Sequence, residues 1–193
     1  MTGPPEASPS GAGSSGTRQP RKGPSPEVTL RAVLPEDLPI FYEHQRDPQA
    51  TRMAAFPPRD RGAFDAHWEK IMCDDSLVKL TILSGSAVAG NAVSFVRNGR
   101  REVGYWIGRE FWGRGIATAA LRALLERITE RPLHAGVAKH NVASLSVLEK
   151  CGFTISCEEK WSPPTGGDDV DDYILILTDG APADAPAPGV DRV

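Results

Sequence analysis

Between Trp106 and Thr118 the sequence reads Trp-Ile-Gly-Arg-Glu-Phe-Trp-Gly-Arg-Gly-Ile-Ala-Thr, a β-like end followed by a glycine-rich turn that opens directly into an Ala-rich helical segment. Such a join leaves the first backbone N–H groups of the helix without carbonyl partners, at a terminus carrying about half a positive charge. It is a seat for phosphate or pyrophosphate: Gly113 and Gly115 let the backbone come close, and Arg114 adds a mobile cation. The spacing is neither G-x-x-x-x-G-K-[ST] nor G-x-G-x-x-G, so nucleotide hydrolysis and hydride transfer lose support.

The segments around this join alternate in period. Val28 to Val33 is β-like, Pro35 to Arg46 carries Leu38, Phe41 and Tyr42 at helical spacing, and Arg61 to Met72 repeats Phe64, Trp68, Ile71 and Met72 every three or four positions. Leu77–Leu83, Ala87–Val96 and Glu102–Ile107 are short β-rich runs separated by Ser84-Gly85-Ser86 and Arg97-Asn98-Gly99-Arg100, the marks of an antiparallel meander. Then follow a helix over Ile116–Thr129, a strand over Leu133–Ala138, a helix over Asn141–Lys150 closed by Gly152, and two final strands, Phe153–Cys157 and Tyr173–Thr178, around a Pro/Gly/Asp loop. The order predicts an α/β (α+β) domain: a mixed, mostly antiparallel sheet of about seven strands with helices on both faces.

Residues 1–26 are rich in Pro, Gly and Ser with few apolar side chains, and residues 179–193 alternate Ala, Pro, Asp and Gly; both read as disordered tails around a folded domain over 27–178. A net charge of -3 argues against a nucleic-acid-coating surface. No apolar run approaches the roughly 20 residues that cross a bilayer and no secretory signal is visible, so the expected location is the cytoplasm, with no membrane partner. Cys73, Cys151 and Cys157 form no C-x-x-C pair and His44, His67, His134 and His140 show no ligand spacing, so no metal is expected and the cysteines read as reduced. Carboxylate pairs for glycoside hydrolysis and a G-x-S-x-G elbow are also missing.

The loop Trp112-Gly113-Arg114-Gly115-Ile116-Ala117 resembles the pyrophosphate loop [Q/R]-x-x-G-x-[G/A] of GNAT acetyltransferases, with Trp112 at the position of Gln or Arg. Its wording, together with Asn141-Val-Ala-Ser144-Leu-Ser-Val-Leu-Glu-Lys150-Cys-Gly152-Phe153, is similar to the branch that acetylates ribosomal-protein N-termini and some antibiotics, the RimJ/RimL type. Leu30-Arg31 and Glu36-Asp37-Leu38 resemble that branch's opening strand and helix, so the likeness spans nearly all of residues 28–178. It implies the GNAT fold, with a sheet splayed centrally where the strands ending near Ile107 and Ala138 part. It implies acetyl-CoA as cosubstrate, bound by Trp106, Ile107, Trp112, Gly113, Arg114, Gly115, Ile116, Ala117, Thr118, Asn141 and Ser144.

The acceptor amine arrives as ammonium and must lose a proton before it attacks, which requires a carboxylate, a His or a water chain. Glu102 is the preferred base, against a reading in which it only pairs with Arg100 or Arg101. Where many relatives carry an acidic tyrosine on the last helix this chain has Leu148, which makes Ser144 the candidate to protonate the leaving thiolate, with Tyr173 behind it. Asn141 also reads as a simple helix cap, His140 as a loop side chain or substrate contact, and Phe56, Arg59 and Trp68 as a wall for the acceptor. The acceptor reads as a protein N-terminal amine or as a small-molecule amine, and a third reading is a scaffold that binds acetyl-CoA without turnover. The apolar Tyr173–Leu177 run serves a core or a dimer edge, so a monomer or homodimer is expected.

Overall fold

The computed structural model describes residues 27–162 and 168–179, so the two terminal segments read as tails lie, apart from Asp179, outside the described residues. Five helices and seven strands follow in order: β1 (Val28–Ala32), α1 (Leu38–Arg46), α2 (Pro48–Ala54), α3 (Arg61–Cys73), β2 (Val78–Ser84), β3 (Ala87–Arg97) and β4 (Arg100–Ile107), then α4 (Ile116–Arg127), β5 (Leu133–Ala138), α5 (Val142–Lys150), β6 (Thr154–Trp161) and β7 (Val170–Leu177). The strands form one sheet in the order β1-β2-β3-β4-β5-β7-β6. This is the expected α/β sandwich, with α4 and α5 on one face and α1 and α3 on the other.

Two tight turns build the meander. Asn98 and Gly99 both take positive φ, 51° and 74°, the backbone of a two-residue hairpin whose twist matches its strands. The bonded ladder therefore begins at Arg100, two residues before the run read from sequence. The last two strands are also longer than expected, and β7 lies between β5 and β6 with both edges paired. The Tyr173–Leu177 run is thus interior to the sheet and forms no dimer edge.

β4 and β5 are parallel, as a strand–helix–strand crossover demands, but their register contains a single pair, Glu102 with His134, near the starts of both strands. Toward Ile107 and Ala138 the strands are unpaired with each other. The sheet is consequently two antiparallel ladders that share one rung.

The larger core lies under α4 and α5, where Ile116, Ala120, Leu121 and Leu124 pack on Val103, Ile107, Leu133, Ala135 and Leu175. A smaller aromatic cluster of Phe41, Phe64 and Trp68 seats α1 and α3 on the opposite face. Trp68, expected on the acceptor wall, is a core residue at 2% exposure. One helix escaped the sequence reading: α2 begins at Pro48, with Asp47 accepting from the N–H groups of Gln49 and Ala50. Only Ala50 of its seven residues is buried, which leaves no apolar period to detect.

Asp37 ties the first strand pair together. It is buried, takes two bonds from Arg31 at 2.5 and 2.7 Å, one from Thr81 Oγ1 at 2.6 Å and one from the Leu34 N–H at 2.9 Å. Burial pushes its carboxyl up, but the bonds from Arg31, Thr81 and Leu34 outweigh that and hold the pKa at about 2. A carboxyl lowered on folding stabilises above the unfolded value and loses that contribution as pH falls through the folded one. Asp37→Asn should therefore cost roughly 2–3 kcal/mol near pH 7 and flatten the loss of stability between pH 4 and 2, measured by urea unfolding across that range.

Candidate active site

The glycine-rich join takes the form its sequence demands. Gly113 and Gly115 have φ of 70° and 75°, and Gly115 in the left-handed region caps α4. An L side chain at either position would strain the loop. Gly113, Arg114 and Gly115 are exposed, Ile116 is buried beneath them, and Ala117 and Thr118 are half-buried in the first turn. No side chain caps the helix, so its leading N–H groups face outward unspent. Arg114 rests over the Phe111 ring at 5.6 Å. Trp112 donates its indole N–H to the Ile107 carbonyl at 2.9 Å, so it braces the loop against the strand that feeds it.

The unpaired stretch of β4 alternates between the two faces. Val103, Tyr105 and Ile107 belong to the α4–α5 side, while Glu102, Gly104 and Trp106 face the α1 side, where the Trp106 indole donates to the His44 carbonyl at 3.2 Å. From the first side the Tyr105 hydroxyl meets Ser144 Oγ of α5 at 2.7 Å. That bond spans the divergence between the strands, because α5 follows β5. Burial pushes the Tyr105 phenol up to about 12 against the weaker lowering by Ser144, so it keeps its proton across the physiological range. Tyr105 was missed from sequence; its only signal there is its alternation with Glu102 and Trp106, which gives no hint of α5. Asn141 caps α5 by accepting from the Ser144 N–H at 3.1 Å, which leaves its amide NH₂ as a donor.

On the opposite face Glu102 is buried and both of its oxygens are held by Arg97, at 2.9 and 2.7 Å. Neither Arg100 nor Arg101 is its partner: they pair with Glu159 and Glu130. Glu102, Arg97, Arg100, Glu159, Lys160 and Asp172 line a cavity of about 280 Å³. A second cavity of about 370 Å³ lies between α1 and the turn after β4, where Asp47 pairs with Arg109 and Glu110 with His44. His140 Nε2 lies 2.9 Å from the Arg52 carbonyl and ties the end of β5 to α2. Tyr173 is half-buried in the core beneath Lys139. Phe56 lies under the Arg59 guanidinium at 4.7 Å. Among the described residues no group of His, Cys, Asp and Glu is placed to hold a metal, and no helix is long and apolar enough to cross a membrane.

A glycine-rich helix start beside two parting parallel strands is the backbone arrangement that the sequence likeness implied, and comparison with known proteins identifies the family. Residues 27–154 match the acetyltransferase (GNAT) domain. The chain belongs to the GNAT family. The uncharacterized N-acetyltransferase p20 of Bacillus licheniformis is 24% identical over 139 residues, which are 65% of this chain and 78% of that protein. Spermidine N-acetyltransferase from Vibrio cholerae, solved with CoA and spermine, superposes with a TM-score of 0.69 over 80% of this chain and 96% of that one at 17% identity. Mycobacterium smegmatis RimJ, solved with CoA-disulfide, gives 0.64 over 79% and 82% at 20% identity.

This GNAT protein is an acetyl-CoA-dependent N-acetyltransferase. Acetyl-CoA enters as a substrate, and the chain fits it: the α4 start offers exposed glycines and free N–H groups for a pyrophosphate, and the divergence offers unpaired backbone to an amide-bearing arm. Tyrosine absorbance checks the hydroxyl pair. Tyr105 should ionise only near pH 12, and Tyr105→Phe should remove that late component from the absorbance titration.

Proposed function

We propose that this GNAT enzyme acetylates the α-amine at a peptide or protein N-terminus. The observation that carries the reading is the charge balance of the cavity beside β4 and β7, where Arg97, Arg100 and Lys160 stand against Glu102, Glu159 and Asp172. A polycationic acceptor such as spermine is best held by an excess of carboxylates, whereas a single ammonium followed by backbone amides suits a wall of both signs. The similarity of both sequence motifs to the RimJ/RimL branch supports the same acceptor.

In this reading Gly113, Arg114, Gly115, Ile116, Ala117 and Thr118 hold the pyrophosphate, with Trp112 bracing the loop. The backbone of Trp106 and Ile107 and the Asn141 amide hold the arm. Acetyl-CoA supplies an activated carbonyl. A backbone N–H on the unpaired part of β4 polarises that carbonyl, a contribution of roughly 3–4 kcal/mol when well aligned. The Tyr105–Ser144 pair protonates the departing thiolate, which gives Ser144 its expected part with Tyr105 as the proton's source. Glu102 fixes Arg97 and with it the wall of the acceptor cavity.

Two measurements check this. Gly115→Glu places bulk and negative charge in the phosphate seat and should abolish acetyl-CoA binding in titration calorimetry. Thiol release should then show a kcat/KM at least tenfold higher for a tetrapeptide with a free N-terminal alanine than for spermine or kanamycin, and no turnover once the α-amine is blocked. A faster reaction with spermine or kanamycin would assign the enzyme to small-molecule amines.

A further inference from the structure

On the acceptor face the floor between β4 and β5 has a glycine from each strand, set between Glu102 and Trp106 of β4 and between His134 and Ala138 of β5. Gly104 and Gly136 both point there, just past the last shared rung, and Gly136 is exposed. A Cβ added to Gly136 would lie 3.7 Å from Asp172 Oδ2, 3.7 Å from Ile174 Cδ1 and 3.9 Å from Arg97 Nη2, so these three side chains ring the exposed backbone of Gly136. Asp172 itself sits opposite Ala138, at the diverging end of β5.

The three carboxylates lining this cavity are not equivalent. Glu102 is paired with Arg97 and Glu159 with Arg100. Asp172 is 9% exposed, and its buried Oδ1 has no hydrogen-bond partner among the described residues. A buried, unsatisfied carboxylate oxygen costs stability and calls for a compensating role. Two residues away in β7, Ile174 shows that an apolar side chain is accommodated on the same face.

We propose that Asp172 is the catalytic residue that seats the acceptor ammonium over Gly136 and accepts its proton. This rests on the amine acceptor of the preceding section and names the base for it. The ammonium N–H passes its proton to the Asp172 carboxylate. The freed nitrogen attacks the acetyl carbon and forms the C–N bond, the bond from that carbon to sulfur breaks, and the thiolate takes a proton from the Tyr105–Ser144 pair; the nitrogen's second proton leaves to solvent, from which the pair is reprotonated.

Burial pushes the Asp172 carboxyl up, with Arg97 and His140 opposing and Asp171 adding to the rise. Glu102 faces it from β4, and Glu159 and Lys160 from β6. A base must be unprotonated, so activity falls as pH drops through its pKa, and the acidic limb should lie above the ordinary aspartate range. Sequence concealed this residue because Asp168-Asp169-Val170-Asp171-Asp172 reads as a polar loop, whereas β7 begins at Val170.

The test compares wild type with Asp172→Asn on the tetrapeptide, spermine and kanamycin. The pH profile is taken on whichever amine the wild type turns over fastest, so that a wrong acceptor class leaves the Asp172 measurement intact. The variant should lose about 100-fold or more in kcat/KM and lose the acidic limb, while its acetyl-CoA affinity stays at the wild-type value and its Tm does not fall. In the free wild-type protein, the Asp172 carboxyl followed by carbon-detected NMR should titrate at the midpoint of that limb. A variant within threefold of wild type with the limb in place, or an NMR midpoint more than one pH unit from it, overturns the assignment of Asp172 and leaves the acceptor reading standing. Failure of wild type to bind acetyl-CoA brings down both.

Discussion

A parallel strand pair normally spreads evenly spaced hydrogen bonds along its length, and a backbone group left without a partner inside a fold must find one elsewhere. In this protein β4 and β5 share the single pair Glu102–His134 and then diverge. Everything else in the domain serves to keep that opening open. On one side β1 to β4 form a rigid antiparallel ladder, and on the other β5, β7 and β6 form a second. α4 packs on the first ladder, α5 packs on β5, and the two helices pack on each other over one shared core, so the two halves cannot close on each other without breaking it.

The opening has two unlike faces. Toward α4 and α5 it is apolar, and the hydroxyls it presents there, Tyr105 and Ser144, bond each other in surroundings that keep the phenol protonated. Toward α1 and α2 it is lined by ionised groups of both signs on a floor of glycine backbone. In the proposed reaction a proton donor and a proton acceptor are thereby kept on opposite sides of the same strands, where neither neutralises the other. Separation of this kind lets one site run acid and base chemistry at a single pH.

The parts legible in the sequence are those dictated locally. Gly113 and Gly115 announce a turn that needs positive φ, Asn98-Gly99 announces a hairpin, and the Ala- and Leu-rich run after Gly115 announces the helix they cap. The parts that stayed hidden depend on contacts between distant residues. Arg97 as the partner of Glu102 follows from hairpin register, in place of the adjacent arginines, and the Tyr105–Ser144 bond joins residues 39 apart. α2 has too little apolar surface to show a period, and the start of β7 is hidden by carboxylates that solvent and the cavity, not a core, accommodate.

The placement of β7 also divides the site along the sequence. Residues 28–138 carry β1 to β5, the glycine-rich loop and α4, whereas β7, at Val170–Leu177, lies between β5 and β6 and brings in Asp172. In the proposed enzyme the loop that holds the nucleotide and the carboxylate that holds the amine thus come from distant stretches of chain, so a change at Asp172 leaves the backbone of Gly113 and Gly115 untouched.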